Sequence, residues 1–171
     1  MMRIDAKTYG DVATLQALGA VSLFEVRDPE SDALVGYDVM PDIDLTGYAA
    51  KAAALAVANL VAYAAAKRYA VETGGILVGG AKVATDRDSQ AMIGNAFAYI
   101  TASGAASVRF KASSGWITLS ADQVKALALA VGAHVQAAFA AEDDLDAAIN
   151  ASPPTVTTTA QIDAAAWPAS A

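Results

Sequence analysis

Ser107 to Ile149 reads SVRFKASSGWITLSADQVKALALAVGAHVQAAFAAEDDLDAAI, and the order of its parts decides the fold class. Val108-Arg109-Phe110-Lys111 alternates apolar and basic residues, the pattern of a strand buried on one face. Ser113-Ser114-Gly115 is a turn, and Trp116-Ile117-Thr118-Leu119 brings the chain back as a second strand. Ser120-Ala121-Asp122-Gln123 then has the form of a capping box, in which the serine and glutamine side chains accept from backbone N–H groups that a helix start leaves unpaired. The helix it opens extends to about Asn150. Val124, Val131, Ala138 and Leu145 recur every seven residues, as do Leu127, His134, Ala141 and Ala148, which predicts a packing seam. Hairpins pair antiparallel strands without a crossover, so the class implied is α+β.

Upstream the same grammar repeats. Ile76-Leu77-Val78 and Ala81-Lys82-Val83-Ala84 flank Gly79-Gly80, a two-residue turn in which both positions tolerate positive φ. Thr85 with Asp88 resembles a capping box for a helix whose apolar face is Met92, Ile93, Ala96, Phe97 and Ile100. The two hairpins between Ile76 and Leu119 are expected to lie near each other, flanked by helices. Before them, a helix is predicted from about Leu45 to Thr73, capped by Asp44 or Thr46 and stopped at Gly74-Gly75. Tyr48, Leu55, Ala62 and Tyr69 recur on it every seven residues. Val57, Leu60, Val61 and Val71 widen its apolar face to most of its circumference, which predicts burial on most sides.

Three divisions follow. Residues 1–44 form an N-terminal β-hairpin unit, with Val21–Arg27 and Leu34–Met40 as strands around the turn Asp28-Pro29-Glu30-Ser31-Asp32. Its few apolar residues cannot make a core alone, so they are to be covered either by the body of the chain or by a partner; the partner is the favoured cover, with the unit acting in docking. Residues 45–150 form the helix-hairpin-helix-hairpin-helix domain. Residues 151–171, broken from it by Ser152-Pro153-Pro154, are expected to be an irregular tail.

Composition narrows the functional classes. Of 171 residues, 56% are hydrophobic but only 7% aromatic and 17% charged, because about a quarter of the chain is alanine. Alanine favours helices and close backbone approach while burying little area per residue. The net charge of −7 and scattered basic residues offer no footprint for nucleic acid. No cysteine is present, which removes thiolate chemistry and cysteine-based zinc sites. MMRIDAKTYGDV carries no apolar signal core, so no secretory signal is expected. Ala52–Ala66 is an apolar run, but it is shorter than the ~20 residues of a spanning helix and contains Asn59. The expectation is a buried or inter-subunit helix and no membrane insertion.

No constellation predicts catalysis, a cofactor or a metal. His134, the sole histidine, lacks companion ligands and a nucleophile, so it is expected to be packed or at an interface. The carboxylates of Asp28/Glu30/Asp32, Asp42/Asp44 and Glu142-Asp143-Asp144-Asp146 lack the order of a calcium loop, and Asp86 and Asp88 sit where a helix needs capping. The residues expected at partner interfaces are Phe24, Tyr37, Leu55, Leu60, Val131, His134 and Trp167.

Several of these features coincide with a known pattern. Gly74-Gly75, Gly79, Thr85-Asp86-Arg87 with Ser89-Gln90, the strand at Phe110-Lys111, the WITL return strand, Ala133-His134-Val135-Gln136 before Phe139, and Glu142 and Ile149 together resemble an uncharacterised domain family of tailed phages and prophages. The resemblance covers about residues 65–150, with a weaker echo at Ile162-Asp163 and Trp167-Pro168. That family is a domain of unknown function often encoded beside tail-fibre and tail-fibre-assembly genes. The resemblance implies a structural part of a phage tail, at the baseplate or the fibre attachment. Such a part is made in the host cytoplasm and carried in the virion, with other tail or fibre proteins as partners. Phage fibre parts are commonly trimeric, so a homo-oligomer, with a trimer as the expected form, follows from the resemblance and the alanine surplus together. An assembly chaperone for the fibre, absent from the finished particle, is the alternative. An envelope-degrading hydrolase is a further and weaker one.

Overall fold

The computed structural model describes residues 1–112 and 115–171, so the turn expected at Ser113-Ser114 lies outside the described residues. The class is α+β, with antiparallel pairing between the described strands. The chain forms two compact units, Met1–Asn59 and Leu60–Ala171. The division falls inside a helix rather than ahead of it.

The first unit is more than a hairpin. β2 (Ser22–Arg27) and β3 (Leu34–Met40) pair as the sequence predicts, but β1 (Met2–Asp5) adds to the other edge of β3, giving the order β1-β3-β2. Arg3 stands opposite Asp38 in that register and forks onto its carboxylate. Gly36 permits the approach, since a Cβ there would collide with the Ile4 carbonyl. Between β1 and β2 the chain forms two short helices, α1 (Ala6–Tyr9) and α2 (Val12–Ala17). Asp5 caps the first by accepting from the Thr8 N–H, and Asp11 caps the second by accepting from the Ala13 N–H.

The inner face of this hairpin is covered by the chain itself, the other of the two covers open to it, rather than by the favoured partner. Ile4, Leu15, Ala20, Tyr37, Val39 and Ile43 make a core of the unit's own, with Leu15 and Val39 fully buried. Tyr48, at the start of α3 (Tyr48–Thr73), closes it. Its ring meets that of Tyr9 edge-on at 5.0 Å, and its hydroxyl accepts from the Asp11 N–H at 2.8 Å. Leu23 packs against this core, while Phe24 beside it on β2 is more than half exposed.

In the second unit, β4 (Ile76–Val78) and β5 (Ala81–Val83) form a hairpin, with Gly79 and Gly80 both at positive φ. α4 (Arg87–Ser103) follows, then β6 (Ser107–Ala112) paired with β7 (Gly115–Ser120), then α5 (Ala121–Ile149). The Ser120–Gln123 capping box forms as the sequence predicts. The box read at Thr85 does not. Asp86 is the cap of α4, accepting from the Ser89 N–H at 3.0 Å, and Thr85 is fully buried. Ile76, Ile93 and Val131 form a core on which Val83, Phe110 and Leu127 pack, so the two hairpins share one interior with α4 and α5.

The last twenty residues are not wholly irregular. α6 (Thr159–Asp163) is opened by a second capping box, Thr158 with Gln161, and Ile162 on it is fully buried. Tyr63 donates to Asp163 at 2.9 Å and Lys67 pairs with it at 3.0 Å, which ties α6 to α3.

Candidate functional site

Several of the residues that carry the family resemblance, Gly74, Gly75, Thr85, Arg87, Gln90 and His134, meet at one place, the C-terminal turn of α3. The last four carbonyls of any helix lack partners within it. Here the rest of the unit supplies them. Gly74 donates its N–H to the Val71 carbonyl at 3.2 Å, His134 on α5 donates its Nε2–H to the same oxygen at 3.0 Å, and Ser170 reaches it at 3.2 Å. The Thr85 hydroxyl donates to the Glu72 carbonyl at 2.6 Å and accepts from the Gly75 N–H at 2.9 Å. Thr85 is buried because it splices α3 to the strand that follows.

The Glu72 side chain, with no solvent exposure, lies at the middle of this node. Its carboxylate accepts from Arg68 at 2.6 Å, from Arg87 at 3.1 Å and from Gln90 at 3.1 Å. Arg68 extends the network to Glu142 on α5 at 2.7 Å and covers the Phe139 ring, 4.6 Å from its centroid. Burial alone would push the Glu72 carboxyl up. The hydrogen bonds from Gln90 and Arg68, with the charges of Arg87 and Arg68, outweigh that and hold it below its ordinary range. A carboxylate so enclosed and so fully partnered ties α3 to α4 and, through Arg68 and Glu142, to α5. Sequence reasoning missed Glu72 and Arg68. The one signal was their spacing of four, an ion pair on one helix face in a segment otherwise almost free of charge.

The other feature of note is the surface of α3. Of its 26 residues, only Ala64 and Glu72 are buried. Leu55, Val57, Leu60 and Val61 are each partly covered, and Tyr69 is half exposed. The all-round burial expected of this helix is therefore not met within the chain. The seam expected on α5 is met: Val124, Val131, Ala138 and Leu145 are all buried in the chain itself. By length and composition alone, both α3 and α5 could cross a membrane.

The residues expected at interfaces thus separate. Tyr37, Val131 and His134 are buried in the chain and present little surface. Trp167 is half-buried and donates its indole N–H to the Ile162 carbonyl at 2.8 Å, which closes the tail upon α6. Phe24 is exposed on the sheet, and Leu55 and Leu60 are partly exposed on α3. These three remain available to another molecule.

Residues 49–166 match the model of a family described as a domain of unknown function, DUF4376. The match covers more than half of the chain, and the chain belongs to that family. It begins within the first turn of α3 and continues past α6, which is wider at both ends than the stretch the motifs alone suggest. Residues 1–44 lie outside it. No curated protein and no solved structure matches the chain.

Proposed function

We propose that this member of the DUF4376 family is a packing component of a bacteriophage tail, at the baseplate or the fibre attachment, rather than an enzyme. One observation carries the packing half of this reading. α3 is 26 residues long, and its most apolar stretch has a mean hydropathy of 1.5 with 6% of it buried. Fully burying a Leu or Val side chain is worth about 1.5–3 kcal/mol. Leu55, Val57, Leu60 and Val61 leave part of that unrealised in the isolated chain. The alanines between them let a second helix come close. A homo-oligomer, with a trimer as its expected form, covers that surface, and other tail or fibre proteins are its further partners. Exposed Phe24 supports docking by the first unit.

The tail assignment rests on the motif resemblance. The buried, fully partnered state of Glu72 supports a structural use of those motifs over a catalytic one. Protein mass spectrometry of purified particles tests it. Stoichiometric presence is the expected result. Absence from particles, with accumulation beside unassembled fibres, favours the assembly chaperone. Flotation with lipid vesicles separates protein packing from membrane insertion, and the chain is expected to stay at the bottom of the gradient.

A further inference from the structure

The β6–β7 hairpin has two unlike faces. Side chains alternate along a strand, and residues paired directly across two strands share a face. Phe110 with its partner Ile117, and Leu119 two residues on, turn to a cleft that the hairpin shares with the β4–β5 hairpin, α4 and α5. The register puts Lys111 beside Trp116, and Arg109 beside Thr118, on the opposite face. Trp116 is 65% exposed there, with the Arg109 guanidinium 5.5 Å and the Lys111 ammonium 5.8 Å from its ring centroid. Among the described residues neither cation forms an ion pair. Tryptophan and arginine are the commonest anchors of protein interfaces. In a chain of net charge −7, this face is an aromatic anchor of positive sign.

The same unit holds a recess of the opposite sign. A groove of about 380 Å³ between α3 and α5 is lined by apolar Val61, Ala64 and Phe139 and by acidic Glu142, Asp143 and Asp146. Arg68 engages Glu142. Asp143 and Asp146 are exposed and, among the described residues, form no ion pair. Val61 follows Leu60, so the groove continues the partly covered surface of α3. No described residue of the hairpin lines it. Phe110 packs beside Val131 on α5, and Asp143 stands about 18 Å further along that helix. The hairpin face and the groove of one chain therefore do not meet.

We propose that the Trp116 face of one copy docks in this groove of the next. The indole lies against Val61, Ala64 and Phe139, and Arg109 and Lys111 pair with Asp143 and Asp146. Volume and charge both select this occupant. The groove is at the lower end of pocket sizes, which suits one aromatic side chain rather than a helix. Two unpaired cations flank the ring, and two unpaired carboxylates line the groove. Anchor and groove are different surfaces, so the contact is head to tail and can close into a ring such as a trimer. The inference rests on the self-association proposed above and names a contact in it that the α3 surface alone does not.

The test is sedimentation velocity over a concentration series, with circular dichroism to verify folding, on the full chain and four variants. Every substituted side chain is exposed. Trp116→Ala is expected to weaken self-association by about tenfold or more. Arg109→Glu/Lys111→Glu and Asp143→Lys/Asp146→Lys should each weaken it by a similar factor. The first pair raises the net negative charge of the chain and the second lowers it, so a loss from both cannot come from overall repulsion. All four charge reversals in one chain restore complementarity and the net charge of −7, and should restore association. An oligomeric wild type that Trp116→Ala and both charge pairs leave unchanged overturns this contact, assigns the two surfaces to other partners and leaves self-association standing. A folded fourfold variant that stays dissociated overturns the pairing of the two surfaces. A monomeric wild type removes both this contact and the self-association it rests on.

Discussion

α3 and α5 are close to equal as sequences and unequal as structures. Each is long, rich in alanine and has an apolar stretch of mean hydropathy 1.5, yet 6% of that stretch is buried in α3 and 22% in α5. The difference lies in where the large residues stand. On α5 Val124, Val131, Ala138 and Leu145 stack at sevens on one line, and all are buried. On α3 Leu55, Val57, Leu60 and Val61 are spread around the axis, so no single neighbour can cover them all. Composition sets how apolar a helix is, while spacing sets how many neighbours it needs. α3 is fixed at its C-terminal turn by the buried Glu72.

Removing that fixed point has the largest expected effect. Glu72→Ala leaves Arg68 and Gln90 without their buried acceptor, and breaking a buried ion pair from one side costs about 3–5 kcal/mol. Denaturant unfolding of the second unit should register that loss. A change below about 1 kcal/mol would mean that the node does not hold α3 in place. Next in size is a paired test of the helices themselves. Leu145→Ala on α5 empties a buried site and should cost about 2–3 kcal/mol. Leu55→Ala on α3, measured at low protein concentration, should cost at most about 1 kcal/mol. Equal losses would erase the contrast between the helices.

How far the sequence made this legible depends on the range of each interaction. The β4–β5 turn at Gly79-Gly80 and the capping box at Ser120–Gln123 are local, and both form as their residues imply. The second box, at Thr158 and Gln161, was present in the sequence as well, and it marks a helix in what otherwise reads as an irregular tail. The caps Asp5 and Asp11 likewise mark α1 and α2, but helices of four and six residues carry too little periodicity to stand out. Thr85 has the composition of a cap and the position of a splice, and only the neighbouring Glu72 carbonyl and Gly75 N–H decide between them. The Glu72 node joins three helices across distances that no local pattern encodes. The cleft between the two hairpins, α4 and α5 is likewise set by tertiary packing.

A smaller effect should appear with pH. The Glu72 carboxyl is held below its unfolded value of 4.5, so its contribution to stability is fully present above about that pH and is lost as pH falls through the lower folded value. Asp38 and Asp163, held low by hydrogen bonds from Arg3 and Lys67 respectively, also contribute to the acid limb of the wild-type chain. Glu72→Gln removes one titrating group from that limb. Its stability should fall less steeply below pH 4.5 than that of the wild type, and an identical slope would show that the carboxyl does not titrate on unfolding.

The central claim is that the surface of α3 is covered by another protein surface, first of all by further copies of the chain. Sedimentation equilibrium at micromolar concentration, on the wild type and on the double variant Leu55→Glu/Leu60→Glu, tests this most directly. The wild type should sediment as an oligomer. The variant should sediment as a monomer with an unchanged circular dichroism spectrum, because both side chains are only partly covered in the single chain. A monomeric wild type, or an oligomer that the double substitution leaves intact, would contradict the account.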